Sequence, residues 1–266
     1  EDILPFITRE ERVWIEDVFS KYHGFPTIEE LWKLMDEAWQ ELSCDQFVMD
    51  ERIARFYTHP VWLLNGLFIE QDEVSMEHRR AFSAWVVNQK PQRVADYGGG
   101  FGSLARMIGE ISPDTIVEVI EPHSHPAAIA LAQKTRNIRY EDQPSGNYDI
   151  LIATDVFEHI PDPLKLAAQI ATHLRPKGYF LIANCFAPVI LCHLPQTFHF
   201  RWTWGIALSA MGLIPGEVVA YGKSFRREGK LSLEAARLIE GKSERLYPIN
   251  RRLPGIIAKP FNKFLF

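Results

Sequence analysis

Asp96 stands two residues ahead of a run in which four of five positions are glycine: Gly98, Gly99, Gly100 and Gly102. A backbone without Cβ atoms lets a ligand come close and presents N–H groups to it. The spacing is G-x-G-x-G, because position 103 is Ser, and not the G-x-G-x-x-G of a dinucleotide turn. A carboxylate at 96 would repel a pyrophosphate, whereas it suits a ligand with a cationic amine. Twenty-three residues after Gly98 comes Glu121, whose side chain can accept hydrogen bonds from both hydroxyls of a ribose. The third strand ends in the polar run Glu141-Asp142-Gln143, where a polar side chain could meet an adenine amino group. Tyr97, Phe101 and Phe157 offer aromatic faces that can flank a cation. His159, His193 and His199 are the candidates for taking a proton from an acceptor, since an unperturbed imidazole titrates near neutrality.

Regular elements must hold these groups. Val94 and Ala95 read as the end of a buried strand and Leu104, Met107 and Ile108 as the face of a helix, so the glycines form a strand-to-helix turn. The same rhythm continues. Strands are predicted at 93–97, 115–120, 138–141, 148–154 and 179–184, with helices at 101–110, 124–135 and 163–174. Asp162 is the expected N-cap of the last helix and Pro163 its first residue. Short apolar strands alternating with helices imply a parallel sheet covered on both faces, with ligands beyond the carboxyl ends of the strands. Residues 1–90 read instead as a helical cap. Thr8 with Glu11 and Thr27 with Glu30 are T-x-x-E capping boxes, and Leu31, Leu34, Met35, Ala38, Trp39 and Leu42 recur at helix spacing. A third helix is expected at 50–57, ended by Pro60, and another at 76–87; Tyr57, His59, Trp62 and Asn65 gather near the break between them.

VADYGGGFGSL at 94–104, Glu121, and TDVFEHIPDP followed by LRPKGYFLIAN together resemble the class I S-adenosylmethionine-dependent methyltransferases, in the branch acting on small molecules, lipids and sugars. The resemblance covers about residues 92–185. It implies a doubly wound, Rossmann-like α/β domain at 91–225 with seven mostly parallel strands, preceded by the cap and followed by a C-terminal helix and basic tail at 226–266. It also implies that Asp96, Gly98 and Gly100 line the methionine part of S-adenosyl-L-methionine, Glu121 the ribose, and Asp142 or its neighbour the adenine. Asp155, Val156 and Phe157 would face the sulfonium. The family often has a small apolar residue after the Asp at the third strand; here Gln143-Pro144 follows. Substrate contacts are expected beyond the fifth strand. There, residues 186–205 combine Pro188, Pro195, His193, His199, Arg201 and several aromatics, a composition suited to a sugar ring or an aromatic acceptor. A helix is expected at 203–211 with Gly212 behind it, and closing antiparallel strands at 217–221 and near Phe225.

Composition bounds the reading. In 266 residues, 47% hydrophobic and 24% charged is an ordinary globular balance, and a net charge of −5 argues against a general nucleic-acid binder. Cys44, Cys185 and Cys192 form no C-x-x-C pair, so no zinc site or disulfide framework is predicted and a reducing, cytoplasmic setting fits. No apolar run approaches the roughly 20 residues of a membrane span. The sequence opens on Glu1 rather than Met, compatible with removal of a leader. Residues 1–50 carry four basic and thirteen acidic side chains, residues 223–266 eleven basic and four acidic. That asymmetry suggests that the two ends meet or that the tail touches an anionic partner or membrane face. The reading favoured is a solvated surface with the C-terminal segment docked on its own domain, because the tail's apolar residues lack the period of an amphipathic anchor. The reaction expected is methyl transfer to a small-molecule acceptor, a sugar, lipid-linked or aromatic metabolite, with a hydroxyl favoured. The alternatives are a catalytically silent S-adenosylmethionine-binding partner subunit and, against the glycine spacing and Asp96, a nicotinamide-dependent oxidoreductase.

Overall fold

The computed structural model of this chain describes residues 3–252 and 255. They divide into two compact units, Glu1–Pro144 with Val189–Cys192, and Ser145–Pro188 with His193–Phe266.

Both capping boxes form in the first unit. Thr8 and Thr27 each accept the N–H of a glutamate three residues on, and each glutamate accepts the threonine's own N–H. They open helices α1 (Arg9–Tyr22) and α2 (Ile28–Glu41) at the expected positions. The apolar stripe of α2, Leu31, Leu34, Met35, Ala38 and Trp39, is buried against Phe56 of α3 (Glu51–Tyr57) and Val61, Leu64 and Phe68 of α4 (Pro60–Ile69). The helix expected at 50–57 does end before Pro60, and Pro60 in turn opens a further helix. At the first helical position its missing N–H is lost to no partner, and His59 Nδ1 caps the turn by accepting from the Val61 N–H at 3.1 Å. Tyr57, His59 and Trp62 pack on one another's neighbours: Tyr57 lies 5.1 Å from Trp62 and His59 5.3 Å from Trp14. Helix α5 (Glu73–Asn88) then leads into β1 (Arg93–Tyr97), α6 (Ser103–Ile111), β2 (Ile116–Ile120), α7 (Pro126–Ala132) and β3 (Ile138–Glu141). Strand β2 runs parallel to both β1 and β3.

The second unit holds β4 (Tyr148–Thr154), α8 (Pro163–Ala171), β5 (Leu174–Ala183), α9 (Trp204–Met211), β6 (Leu213–Val219), β7 (Gly222–Arg227) and α10 (Leu233–Asn250). Asp162 caps α8 with Pro163 at its start, and Gly212, at φ 108°, ends α9. Strands β4 and β5 are parallel, whereas β7 is antiparallel to β5 and β6. The fifth strand begins at Leu174, five residues before the predicted start, at the expense of the helix expected there. Arg175-Pro176-Lys177-Gly178 forms a bulge inside the strand. The register jumps from Tyr148↔Leu174 to Ile150↔Tyr179, with Lys177 at φ 68°. A Cβ on Gly178 would come within 2.9 Å of the Arg175 and Asp149 carbonyls, so glycine is required at that crossing.

The seven strands are ordered β3-β2-β1-β4-β5-β7-β6, the mixed, mostly parallel α/β sheet that was expected. The order reverses at β1: the chain steps outward to β2 and β3 and begins again at β4. No helix among the described residues is long and apolar enough to cross a membrane. The end of the basic tail, with Pro254, Pro260, Phe261, Leu265 and Phe266, lies outside the described residues.

Candidate functional site

In the first unit the glycine turn follows β1 directly. Gly98 extends the strand by one bond, its N–H donating to the Ile120 carbonyl at 2.9 Å. The chain then takes left-handed conformations, with Gly100 at φ 52°. A Cβ at Gly100 would meet no atom within 4 Å, so the space beside the turn is open. One at Gly99 would lie 2.7 Å from an Asp96 carboxylate oxygen. The turn thus hugs Asp96 on one side and faces open space on the other.

Glu121, just past β2, holds this turn. One carboxylate oxygen accepts the Gly100 N–H at 3.2 Å and the other the His123 N–H at 3.0 Å. Its remaining lone pairs stay available to hydroxyls. Three residues that sequence reasoning missed fix the turn further. Tyr140 of β3 donates its hydroxyl to the Gly100 carbonyl at 3.0 Å. Arg106 of α6 donates to the Phe101 carbonyl at 2.6 Å and pairs through its other arm with Glu70, which also accepts the Ser103 hydroxyl at 2.8 Å. Phe101 itself is buried with Ile15, Leu63, Ala127 and Ala128, and it anchors the turn in the apolar layer.

Asp96 is 2% exposed. Burial pushes its carboxyl up to about 7; Arg79 pulls it the other way and the like charge of Glu121 adds to the rise. Burial, assisted by Glu121, also raises the phenol of half-buried Tyr97. Asp142 lies exposed in the segment after β3.

In the second unit, Asp155 follows β4 in a left-handed conformation, φ 54°, which its short polar side chain tolerates. Its N–H donates to the Ala183 carbonyl at 2.8 Å, and the Tyr221 hydroxyl donates to its carboxylate at 2.6 Å. Val156 and Phe157 are buried; Phe157 packs between Phe180 and Trp204 at centroid distances of 6.1 and 5.1 Å. The next residue, Glu158, was not among the predicted site residues, although it adjoins His159. Its carboxylate is fully buried (0% exposed) and accepts the Cys185 N–H at 2.7 Å and the Asn184 side-chain amide at 2.6 Å. Its backbone carbonyl accepts the Leu194 N–H at 2.8 Å, which draws His193 to the same place.

His159 and His193 meet edge to face, 4.9 Å between ring centroids. One nitrogen of each and one Glu158 oxygen lie within 4.8 Å of one another. His193 Nδ1 faces the Ala187 carbonyl at 2.8 Å; a carbonyl only accepts, so Nδ1 carries the proton and the ring's lone pair is on Nε2. His199 is elsewhere. It is buried with Nδ1 unpaired, its carbonyl accepts from Thr203 and Ser243, and burial lowers its imidazole to about 4.

The stretch 186–205, predicted as a substrate wall, is divided. Phe186 and Phe200 pack on each other and on Trp204 inside the second unit. Val189–Cys192 group with the first unit, where Cys192 joins the α2 core. The Leu191 N–H donates to Asp36 and its carbonyl accepts from Gln46, both at 2.7 Å.

A family model described as a methyltransferase domain matches residues 68–215, more than half of the chain. Among curated proteins, the chain is 27% identical over 107 residues to a trans-aconitate 2-methyltransferase of Deinococcus radiodurans, covering 39% of this chain and 42% of that enzyme. It is 26% identical over 174 residues to a ubiquinone biosynthesis O-methyltransferase of Albidiferax ferrireducens, covering 55% and 68%. The match to the first of these therefore spans less than half of that protein's length. The crystal structure of the carbon methyltransferase CurJ shares the fold, with a TM-score of 0.55 at 13% identity over 80% of this chain and 70% of that one.

Proposed function

The chain belongs to the methyltransferase-domain family of S-adenosylmethionine-dependent enzymes, and from that premise we propose that it methylates a hydroxyl of a small-molecule acceptor, a sugar or another metabolite. The observation that carries this reading is the turn at Gly100, open on one side and held on the other by Glu121. Such a cradle fits a ligand bearing an amino-acid end and a ribose, and a side chain at 100 would fill it. The names of the two curated relatives, one an O-methyltransferase and one acting on trans-aconitate, favour a small oxygen-bearing acceptor.

S-adenosylmethionine, when bound, supplies a methyl group that is already electrophilic. The protein's own work is positioning, which can lower a barrier by roughly 7–11 kcal/mol. Asp96 is assigned to the α-amine, because a buried carboxyl poised near neutrality gains most from a cationic neighbour. Gly98, Gly100 and Tyr97 line the amino-acid part, with Phe101 holding the turn from behind. Glu121 receives the ribose hydroxyls and Asp142 the adenine edge. Asp155, Val156 and Phe157 are assigned to the sulfonium side. The acceptor's proton is taken at the His159–His193 pair; His199, neutral over the physiological range, keeps a packing role. Removing a proton at a placed base contributes about 10²–10⁴-fold. We propose a cytoplasmic setting, in keeping with Cys44, Cys185 and Cys192 being held as thiols and not as disulfides.

Calorimetry with S-adenosylmethionine tests the cradle. Gly100→Val carries a strained φ and fills the open space, and Glu121→Ala removes the hydroxyl acceptor; each should weaken binding at least about tenfold, the loss of roughly one hydrogen bond to a charged group. Wild-type affinity in both variants would end this assignment. An acceptor panel read by methyl transfer then identifies the substrate class.

A further inference from the structure

The cluster of Glu158, His159 and His193 has the composition of a cation site, and we infer that it binds one divalent transition-metal ion of the zinc type. Three potential ligand atoms, two imidazole nitrogens and one carboxylate oxygen, lie within 4.8 Å of one another. This is the donor set of two histidines and one acid that sites with an open position use for zinc or non-haem iron.

The surroundings are those of held ligands. His193 donates Nδ1–H to the Ala187 carbonyl at 2.8 Å, which fixes the tautomer and directs the lone pair to Nε2. Glu158 is fully buried, and its two oxygens are oriented by the Cys185 N–H and the Asn184 amide. A buried carboxylate facing two imidazoles is held more favourably with a cation between them than with the rings crowding each other. The other atom of the same amide, Asn184 Oδ1, is buried without a hydrogen-bond partner. Three protein ligands leave an open position for a further oxygen. In the metal-bound form both imidazoles are ligands, so the proton-taking role given to them above passes to an oxygen in the open position. That role rests on the methyl-transfer reading; the binding of the ion does not.

The test uses the full chain, stripped with chelator, without acceptor or S-adenosylmethionine. Titration with Co(II), read by its visible absorption, and with Zn(II) against a chromophoric chelator should each show one equivalent bound. His159→Ala, His193→Ala and Glu158→Gln should each weaken the site by about tenfold or more, as loss of a ligand does. Zinc should raise the melting temperature of the wild type and not of the variants. If a variant fails to fold, imidazole ¹⁵N spectra of the wild type replace it: zinc must shift the signals of two histidines and leave the rest. No stoichiometric binding by the wild type, or affinity unchanged in all three variants, overturns the inference. Calorimetry with S-adenosylmethionine on the same stripped protein keeps the outcomes apart, because cofactor binding without metal binding sinks the cation site alone, and metal binding without cofactor binding sinks the methyl-transfer reading alone.

Discussion

Asp96→Asn should leave the cofactor-free protein nearly as stable as the wild type in acid and make it more stable in mild alkali. The carboxyl is displaced from an ordinary 3.8 to about 7, chiefly by burial. A raised folded-state value means that the protonated group is tolerated and the ionised one is not. The stability associated with it is therefore complete below pH 3.8 and lost as the pH climbs to about 7, where the folded protein at last releases its proton. A displacement of about three pH units at about 1.4 kcal/mol each amounts to roughly 4 kcal/mol over the whole range. Between pH 5 and pH 8 about two of those units remain, or roughly 3 kcal/mol. Asn resembles the protonated acid in shape and carries no charge, so the variant escapes the loss. Guanidinium unfolding of both proteins at pH 5 and pH 8 reads the difference directly. A gap between variant and wild type that is the same at both pH values, or that favours the wild type at pH 8, refutes the reasoning.

The same group governs ligand binding in the opposite sense. Pairing with the α-amine requires an ionised Asp96, so binding below pH 7 must expel its proton, and affinity should fall by up to about tenfold per pH unit on that side. Above about 7.7–8.0 the ligand's own α-amine loses its charge and the affinity falls again. The product thioether keeps the amine and lacks the sulfonium, so it should show the same acid limb. Asp96→Asn should bind weakly and without that limb.

Two further substitutions separate scaffold from site. Arg106→Gln removes the bond to the Phe101 carbonyl and leaves Glu70 without its cation; we expect a stability loss of about 1–3 kcal/mol together with weaker S-adenosylmethionine binding, read by unfolding and calorimetry, and intact affinity would show that the turn needs no such brace. Phe157→Ala should cost about 3–5 kcal/mol of stability, because the ring is wholly buried against Phe180 and Trp204; a melting temperature equal to the wild type would mean that the ring carries none of this packing.

The helices and strands that the sequence announced are those whose signal is local. Thr8 and Thr27 carry their own capping partners three residues away, and the predicted limits of β1, β3 and β4 are met to the residue. Where the cause is distant, the reading shifts. Pro176 and Gly178 have turn chemistry, and only pairing with β4 makes them a bulge within β5. Pro60 has the chemistry of a helix end and of a helix start alike, and with the preceding His59 cap it serves as both.

Aromatic composition says little about the acceptor for a different reason. A run of Phe, Trp, His and Arg has the right chemistry for a sugar or an aromatic acceptor, but composition does not say which faces are already taken. Phe186, Phe200 and Trp204 take one another's faces, and Arg201 lies over Trp202. Glu158 was overlooked for the converse reason. In the sequence it is one acid beside a histidine, and nothing within several residues marks it. Its meaning comes from donors 26 and 27 positions on, Asn184 and Cys185, and from the Leu194 N–H that brings His193 alongside. A carboxylate can be wholly buried only where donors or cations offset its lost hydration. Two neutral donors hold Glu158 in place, and the imidazoles beside it are the groups through which a proton or a metal ion would supply the missing charge. Which of the two does so decides whether the acceptor meets a base at this cluster or a Lewis acid.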